Sequence, residues 1–279
     1  MIKQKKIRFL VRTVTTLLCY TLFGLVPVNA FTDSSVPGGV TIIDLGSASE
    51  PRPQARFGSN RIMVIKRDGK WKGLVGLSLK TLPGDYIVSY KTGKMSKPDK
   101  EIAIKVHPKT YPEQRIKIKE RKYVSPNKKQ LARIKKEKEH MGKLFKIWRE
   151  TDVSVELSWP TKGPVSSPFG LKRFFNDQPR NPHSGIDIAA PEGTDIVLPS
   201  DGNIIDTGNY YFNGKTVFVD HGQGMISMFN HMSKITAKTG DKLKRGDKIG
   251  EVGKTGRVTG PHLHWSLNLN QSRVNPMLF

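Results

Sequence analysis

The sequence predicts a mainly β protein in three parts: an N-terminal immunoglobulin-like β-sandwich, a basic helical linker and a C-terminal antiparallel β domain. Three observations carry that prediction. Short runs rich in Val, Ile and aromatic residues recur at close intervals, separated by turn signals such as Asp68-Gly69, Pro83-Gly84 and Asn213-Gly214. One longer stretch with helical periodicity lies between two such regions. At 279 residues the chain can hold two modest domains.

The first element, residues 1–30, reads as a signal peptide. Lys3, Lys5, Lys6, Arg8 and Arg12 form a basic start, and Val14 to Val26 is apolar but short for a membrane span. Val28-Asn29-Ala30 suits cleavage. The single cysteine, Cys19, lies inside this segment, and Leu18 before it disfavours lipid attachment. Cleavage would leave a chain without cysteine, compatible with an oxidising compartment. The expected destination is export, to the periplasm or cell envelope. Membrane contact is expected only if the leader is retained.

Residues 31–59 begin with a loose Ser/Pro/Gly-rich stretch and lead into the first part of a β-domain. Residues 60–108 form the small β-sandwich, with strand-like runs over 61–66, 72–79, 85–90 and 101–106. This domain carries no His, Asp or Glu cluster, so it reads as a folded spacer. The alternative is a lid over a groove in the neighbouring domain.

Residues 109–160 are read as a basic linker with one helix. Ser125-Pro126 offers a capping hydroxyl followed by proline at the first helical position. Leu131, Ile134, Met141, Leu144, Phe145 and Trp148 then fall near one face, opposite basic residues. Such a stripe packs on a neighbouring domain. A membrane-surface role fits less well, because Glu137 and Glu139 interrupt the basic face.

Residues 161–279 should be almost entirely β. Strands are expected over 194–198, 202–206, 216–220, 225–231 and 248–253, with a hairpin turn at Asn213-Gly214. Residues 168–180 read as a long aromatic loop that walls one side of a groove. Phe174, Phe175 and Tyr211 could touch a ligand there, or serve as anchors.

The chain carries a net charge of +23, and the five basic residues of the leader would leave +18 after cleavage. From Lys109 to Glu150 there are fifteen Lys and Arg against five Glu. A basic stripe suits nucleic acid, but no nucleic-acid motif is present and export argues against that partner. Wall carboxylates, lipid phosphates or other anionic envelope polymers fit better. A solvated linker that keeps the chain soluble explains the same charge.

The chemistry concentrates in the last part. Four of the seven histidines, with one aspartate, fall in three short motifs: His183-Ser-Gly-Ile-Asp187, Asn230-His231-Met232 and Pro261-His262-Leu-His264-Trp265. Two imidazoles and a carboxylate, with a fourth position left to water, make a catalytic zinc site. Two further histidines suit acid and base work beside it. His262 and His264 are two residues apart on a predicted strand, so both imidazoles face one groove. One of them can bind metal while the other faces substrate. Pro182 and Gly185 argue against a helix through His183 and Asp187, and favour a loop running into a strand. A lone histidine in a strand is ordinarily a hydrogen-bonded structural residue. Three motifs in one domain are not explained that way. His221 has no metal-spaced partner and is assigned to turn structure, and His107 and His140 to the surface.

The stretch from about residue 162 to 279 resembles the LytM/lysostaphin-type zinc metallopeptidases. The resemblance rests on HSGIDIAAPEGT (183–194), DGNI (201–204), DHGQG (220–224), NHMSKI (230–235) and the run from Gly240 to Trp265 that ends in TGPHLHW. It implies that His183, Asp187 and His264 bind one zinc ion per chain, and that His231 and His262 are catalytic. Phe229-Asn230-His231-Met232 departs from a more usual tyrosine and His-Leu pair. The PGGV opening and GLVGLSL run resemble the N-terminal domain that precedes the peptidase domain in exported Gram-negative members. The implied activity is a metalloendopeptidase that hydrolyses peptide cross-links in bacterial peptidoglycan, with D-alanyl–diaminopimelyl bonds as the expected target. Pentaglycine bridges are the second choice. The partners implied are peptidoglycan stems, with no nucleic acid. The other class is a non-catalytic relative that binds the wall and activates amidases, but all five motif residues are present here.

If Lys128, Lys129, Lys135 and Lys136 hold the protein on its wall substrate, sacculus binding should weaken steeply with added salt. Replacing all four with Gln should flatten that dependence in a sedimentation assay. Identical salt curves would assign the linker to solubility alone.

Overall fold

The computed structural model describes residues 31–93 and 100–279. The proposed signal peptide, with Cys19, lies outside the described residues. Strands dominate throughout, and one long helix connects the two β regions.

The N-terminal region is built from two antiparallel sheets. One holds Val40–Ser47, Lys70–Gly76 and Met63–Arg67, in that order across the sheet. The other holds Asn60–Arg61, Gln54–Phe57, Gly84–Lys91 and Lys100–Val106. Period-two alternation sends Ile43, Leu45, Val64, Val75, Val88 and Ile104 into a shared core. Asp68-Gly69 makes the expected hairpin turn, with both residues at positive φ. The segment before Val40, read as loose, is tied down. Phe31 packs on Phe279 with ring centroids 4.8 Å apart, and Thr32 donates to the Leu278 carbonyl. The β-domain thus begins before residue 60, because Val40–Ser47 supplies an edge strand and much of the core.

The long helix runs Lys128–Leu144. Its cap is Asn127, not Ser125: Asn127 Oδ1 accepts from Gln130 N–H, and Gln130 Oε1 accepts from Asn127 N–H. This reciprocal capping box starts the helix two residues later than the Ser-Pro signal. The C-terminal part of the apolar stripe packs on the C-terminal sheet, while Leu131 stays exposed. Leu144, Met141 and Phe145 meet Tyr210, Phe218, Ile226 and Met228. Glu137 also accepts from the Tyr211 backbone N–H at 2.8 Å. Trp148 lies beyond the helix, beneath Arg61 at 4.3 Å.

The C-terminal region is a large antiparallel sheet covered by a small one. Across the large sheet run Lys242–Leu243, Gly202–Tyr210, Gly214–Gly222, Met225–Met232, His262–Leu269, Ile186–Ala189 and Val165–Ser167. Asp195–Val197, Lys248–Glu251 and Lys234–Ile235 form the cover. Ile188, Ile196, Leu198, Val217, Phe229, Leu263 and Trp265 fill the space between. Residues 168–180 are a hairpin rather than a loop. Lys172–Phe175 pairs with Gln178–Pro179 through Asn176 and Asp177, both at positive φ. Its outer side pairs in parallel with Glu113–Ile116 from the linker.

The two β regions share a core. Val40, Met63, Ile65 and Leu74 pack with Met225, Leu267, Leu269 and Val274. Two buried amides reinforce this seam. Asn270 accepts from Gly76 N–H and donates to Gly76 C=O. Gln223 accepts from Val64 N–H and donates to the Thr151 carbonyl. The regions should therefore unfold in one transition. Asn270→Ala would strand a buried N–H and C=O and cost about 2–4 kcal/mol. Denaturant unfolding checks both points; two separated transitions, or an unshifted midpoint in the variant, would count against the shared core.

Candidate metal centre

Antiparallel register assembles the site. Asp187 lies opposite His264 on one side, and Asn230 lies opposite His264 on the other. Leu263 and Trp265, the alternate residues, point into the core. His183 arrives from the loop before Ile186–Ala189, fixed by backbone bonds to Leu171 and Gly170. Gly185 is needed for close approach. A Cβ there would lie 2.4 Å from the Trp265 carbonyl oxygen and 2.8 Å from His264 Nε2.

Three sequence candidates converge. His183 Nε2 is 3.0 Å from both Asp187 Oδ1 and His264 Nδ1, and His264 Nδ1 is 2.7 Å from Asp187 Oδ1. His183, Asp187 and His264 are all buried and form a group able to hold a metal ion. The outer nitrogens explain the inner ones. His183 Nδ1 donates to the Pro168 carbonyl at 2.8 Å, so its Nε2 carries a lone pair. His264 Nε2 is bonded to Ser266 Oγ at 2.8 Å, which directs its Nδ1 lone pair inward. Two nitrogen lone pairs and a carboxylate oxygen thus face one another. A shared cation satisfies such a cluster. Its edges are close to the ~3.3 Å expected between ligands of a tetrahedral ion bound at about 2.0 Å. The donor set fits a zinc-like metal.

Asp187 is held from behind. Arg173 donates to its Oδ2 at 2.8 Å and to Ser167 Oγ at 3.0 Å. Burial alone would raise the Asp187 carboxyl, but when no cation is bound, hydrogen bonds and charge from His183 and His264 protonated towards it carry it well below the ordinary carboxylate range; a bound cation would take over that role and leave the lone pairs inward. Burial lowers His264 to about 4 against the opposing pull of Asp187, so it is neutral at pH 7.

The other two histidines stand beside this cluster. His231 and His262 have ring centroids 4.9 Å apart, and His231 is 6.0 Å from His264. His231 Nδ1 donates to the Thr255 carbonyl, and His262 Nδ1 donates to the Gly260 carbonyl, each at 2.9 Å. In the neutral form of each ring the proton therefore sits on Nδ1 and the lone pair on Nε2. Burial, then the neighbouring His262 and His264, holds His231 well below the usual imidazole range. His231 also has a φ of 66°, a strained conformation for a non-glycine residue.

His221 belongs to a strand end rather than the site. Its Nδ1 is bonded to the Asp201 carbonyl and its Nε2 to Ser227 Oγ, both at 2.8 Å. His107 is exposed, and His140 sits on the helix surface 3.3 Å from Asp206. Of the aromatic candidates, Phe175 lines the groove that contains the metal cluster. Phe174 lies under Arg115, and Tyr211 is buried with its hydroxyl donating to the Lys122 carbonyl. Phe212 lines the groove in place of Tyr211. The helix supplies the far wall through Leu131, Ile134 and Met141, and no residue of the N-terminal sheets lines it.

Sequence reasoning missed Arg173, Ser266 and the Thr255 and Gly260 carbonyls, because no spacing links them to the histidines. It also passed over Asn230 as a neutral replacement. Asn230 is 2 % exposed, lines the groove, and its buried Oδ1 has no hydrogen-bond partner.

Comparison with known proteins agrees with the geometry. The profile of Peptidase family M23 matches residues 181–276, and that of the Peptidase family M23 N-terminal domain matches residues 33–109. A crystallised chain from Pseudomonas aeruginosa, assigned to peptidase M23, is 37% identical with a TM-score of 0.75; the match covers 90% of this chain and 97% of that one. Peptidoglycan DD-endopeptidase ShyA of Vibrio cholerae is 41% identical over 118 residues, which is 42% of this chain and 27% of ShyA. DD-carboxypeptidase/endopeptidase Mpg of Neisseria meningitidis is 38% identical over 113 residues, 40% of this chain and 26% of Mpg. The matched region thus spans about a quarter of either curated relative. Identity along nearly the whole Pseudomonas chain, two matching domain profiles and the assembled histidine cluster lead to one conclusion: the chain belongs to peptidase family M23.

Proposed function

We propose that the protein is an exported, zinc-dependent endopeptidase that hydrolyses peptide cross-links of bacterial peptidoglycan, D-alanyl–diaminopimelyl bonds in particular. The observation that carries this reading is the convergence of three inward lone-pair donors beside two histidines with free Nε2 atoms. The names of ShyA and Mpg support the substrate class. Export rests on the leader-like sequence of residues 1–30. Among the described residues, no helix is long and apolar enough to cross a membrane.

His183, Asp187 and His264 would hold the metal, and Arg173 would fix the orientation of Asp187. When bound, zinc would supply Lewis-acid chemistry that polarises a carbonyl and lowers the pKa of a water towards ~7. His231 and His262 divide the proton work. One accepts the proton of the attacking water through Nε2; the other stabilises the oxyanion or protonates the leaving amine. The carbonyls of Thr255 and Gly260 hold the Nδ1–H of each ring, so proton traffic runs through Nε2: the histidine that accepts starts with a lone pair there, and its partner acts with Nε2 protonated. The mouth of the groove lies between the helix and the 172–179 hairpin, so an extended peptide can lie across the two histidines.

The purified mature protein should release monomeric muropeptides from cross-linked sacculi, read by chromatography and mass spectrometry. It should also carry one zinc per chain, and His264→Ala should lose it. Equal stoichiometric zinc in both proteins would sink the ligand assignment.

His231→Ala and His262→Ala should keep most of their zinc and lose turnover by roughly two or more orders of magnitude. Near-normal cleavage by either variant would remove that residue from the chemistry.

A further inference from the structure

Apart from the Asp187 carboxylate of the metal cluster at its floor, the groove is lined by charges of one sign. Lys138, Arg173, Arg180, Arg257 and Arg273 line it, and among the described residues no Asp or Glu joins them in its walls. Most of these cations have work elsewhere. Arg173 is committed to Asp187 and Ser167. Arg180 donates to the carbonyls of Pro179 and Val124 and to Gln178. Arg273 lies over Phe145 at 3.5 Å and donates to Asn268.

Lys138 is exposed on the helix, whereas Arg257 is partly buried. Its guanidinium packs against Phe212 at 4.3 Å and Phe175 at 4.6 Å. Among the described residues its side chain has no hydrogen-bond acceptor and no carboxylate partner. Stacking uses the faces of a guanidinium and leaves its in-plane N–H donors unspent. Burial, with Arg173 and Arg180 nearby, lowers it to about 10, so it remains charged at pH 7. A partly buried cation beside two others, with no counter-charge, is costly unless an anion arrives. Its place in the chain is also specific. Arg257 lies on the loop between Thr255 and Gly260, whose carbonyls orient His231 and His262. One loop therefore sets both histidines and carries this free cation into the same groove.

We infer that Arg257 is a substrate-recognition residue that receives a free carboxylate of the bound peptide next to the scissile amide. This rests on the endopeptidase reading and deepens it. In a D-alanyl–diaminopimelyl link, the carbon that bears the scissile nitrogen also bears a free carboxylate. A glycine bridge offers none there. Arg257 thus selects the acidic cross-link over an amidated or glycine one.

The test uses two synthetic cross-linked peptides, identical except that the carboxylate beside the scissile nitrogen is free or amidated. The zinc-loaded wild type should cleave the free acid with a kcat/KM at least about tenfold higher, the scale of a charge-assisted contact. In Arg257→Gln the ratio should fall close to one, with zinc content unchanged, and Arg257→Lys should restore part of it. If Arg257→Gln fails to fold, Arg257→Lys carries the test, and its ratio must fall below that of wild type. Equal cleavage of both peptides by wild type, or a preference that survives in Arg257→Gln, would overturn the inference and leave the endopeptidase reading standing. If wild type cleaves neither peptide, that reading fails, and calorimetric binding decides the inference. Acid-selective binding lost in Arg257→Gln keeps it; equal binding of the two peptides ends it.

Discussion

The site depends on the register among three neighbouring strands of the large sheet. Asp187, His264 and Asn230 sit opposite one another across these strands, while Leu263 and Trp265 fill the core behind. Side chains alternate with a period of two, so a slip of one residue would bury His264 in the core and turn Leu263 towards the groove. The apolar cost of that slip is what fixes the polar geometry. Hydrophobic packing on one face therefore holds the lone pairs on the other face in contact.

A second layer of polar contacts refines what the sheet positions. Each of the four histidines has one nitrogen tied to a carbonyl or hydroxyl, which leaves the other nitrogen for the site. The loop from Lys254 to Gly260 serves two histidines at once, and Arg173 holds the carboxylate from the rear. The helix and the hairpin over residues 172–179 complete the walls, and the N-terminal sheets brace the opposite end through Asn270 and Gln223. That division places rigidity behind the site and cationic side chains in front of it. It favours a spacer role for the N-terminal region over a lid.

Much of the site was legible in the sequence. The His262/His264 pair on a strand and the His183–Asp187 path from loop into strand follow from local spacing and lie where it implies; His221, read as part of a turn, is buried in a strand instead. The mainly β character was equally legible; a hairpin does form near Asn213-Gly214, but its turn is residues 211–213, and Gly214 already pairs with Tyr210. What escaped was set by distant packing. Arg173 and Arg257 reach the groove only because the hairpin and the loop fold over the sheet. The parallel pairing of Glu113–Ile116 with Lys172–Phe175 joins segments far apart in the chain, which turned an expected loop into a strand. The helix start moved because Asn127 and Gln130 cap each other more completely than Ser125 could. Val40–Ser47 was underread because its Gly-rich lead-in masks a strand anchored by Phe31 and Phe279.

The central claim is that strand register creates one cation site from His183, Asp187 and His264, with His231 and His262 left outside it. Anomalous diffraction from crystals of the zinc-loaded protein, collected across the zinc edge, tests this most directly. The account predicts a single strong peak about 2.0–2.2 Å from His183 Nε2, His264 Nδ1 and an Asp187 carboxylate oxygen. A peak coordinated by His231 or His262 in place of any of these three, or none near the cluster, would contradict it.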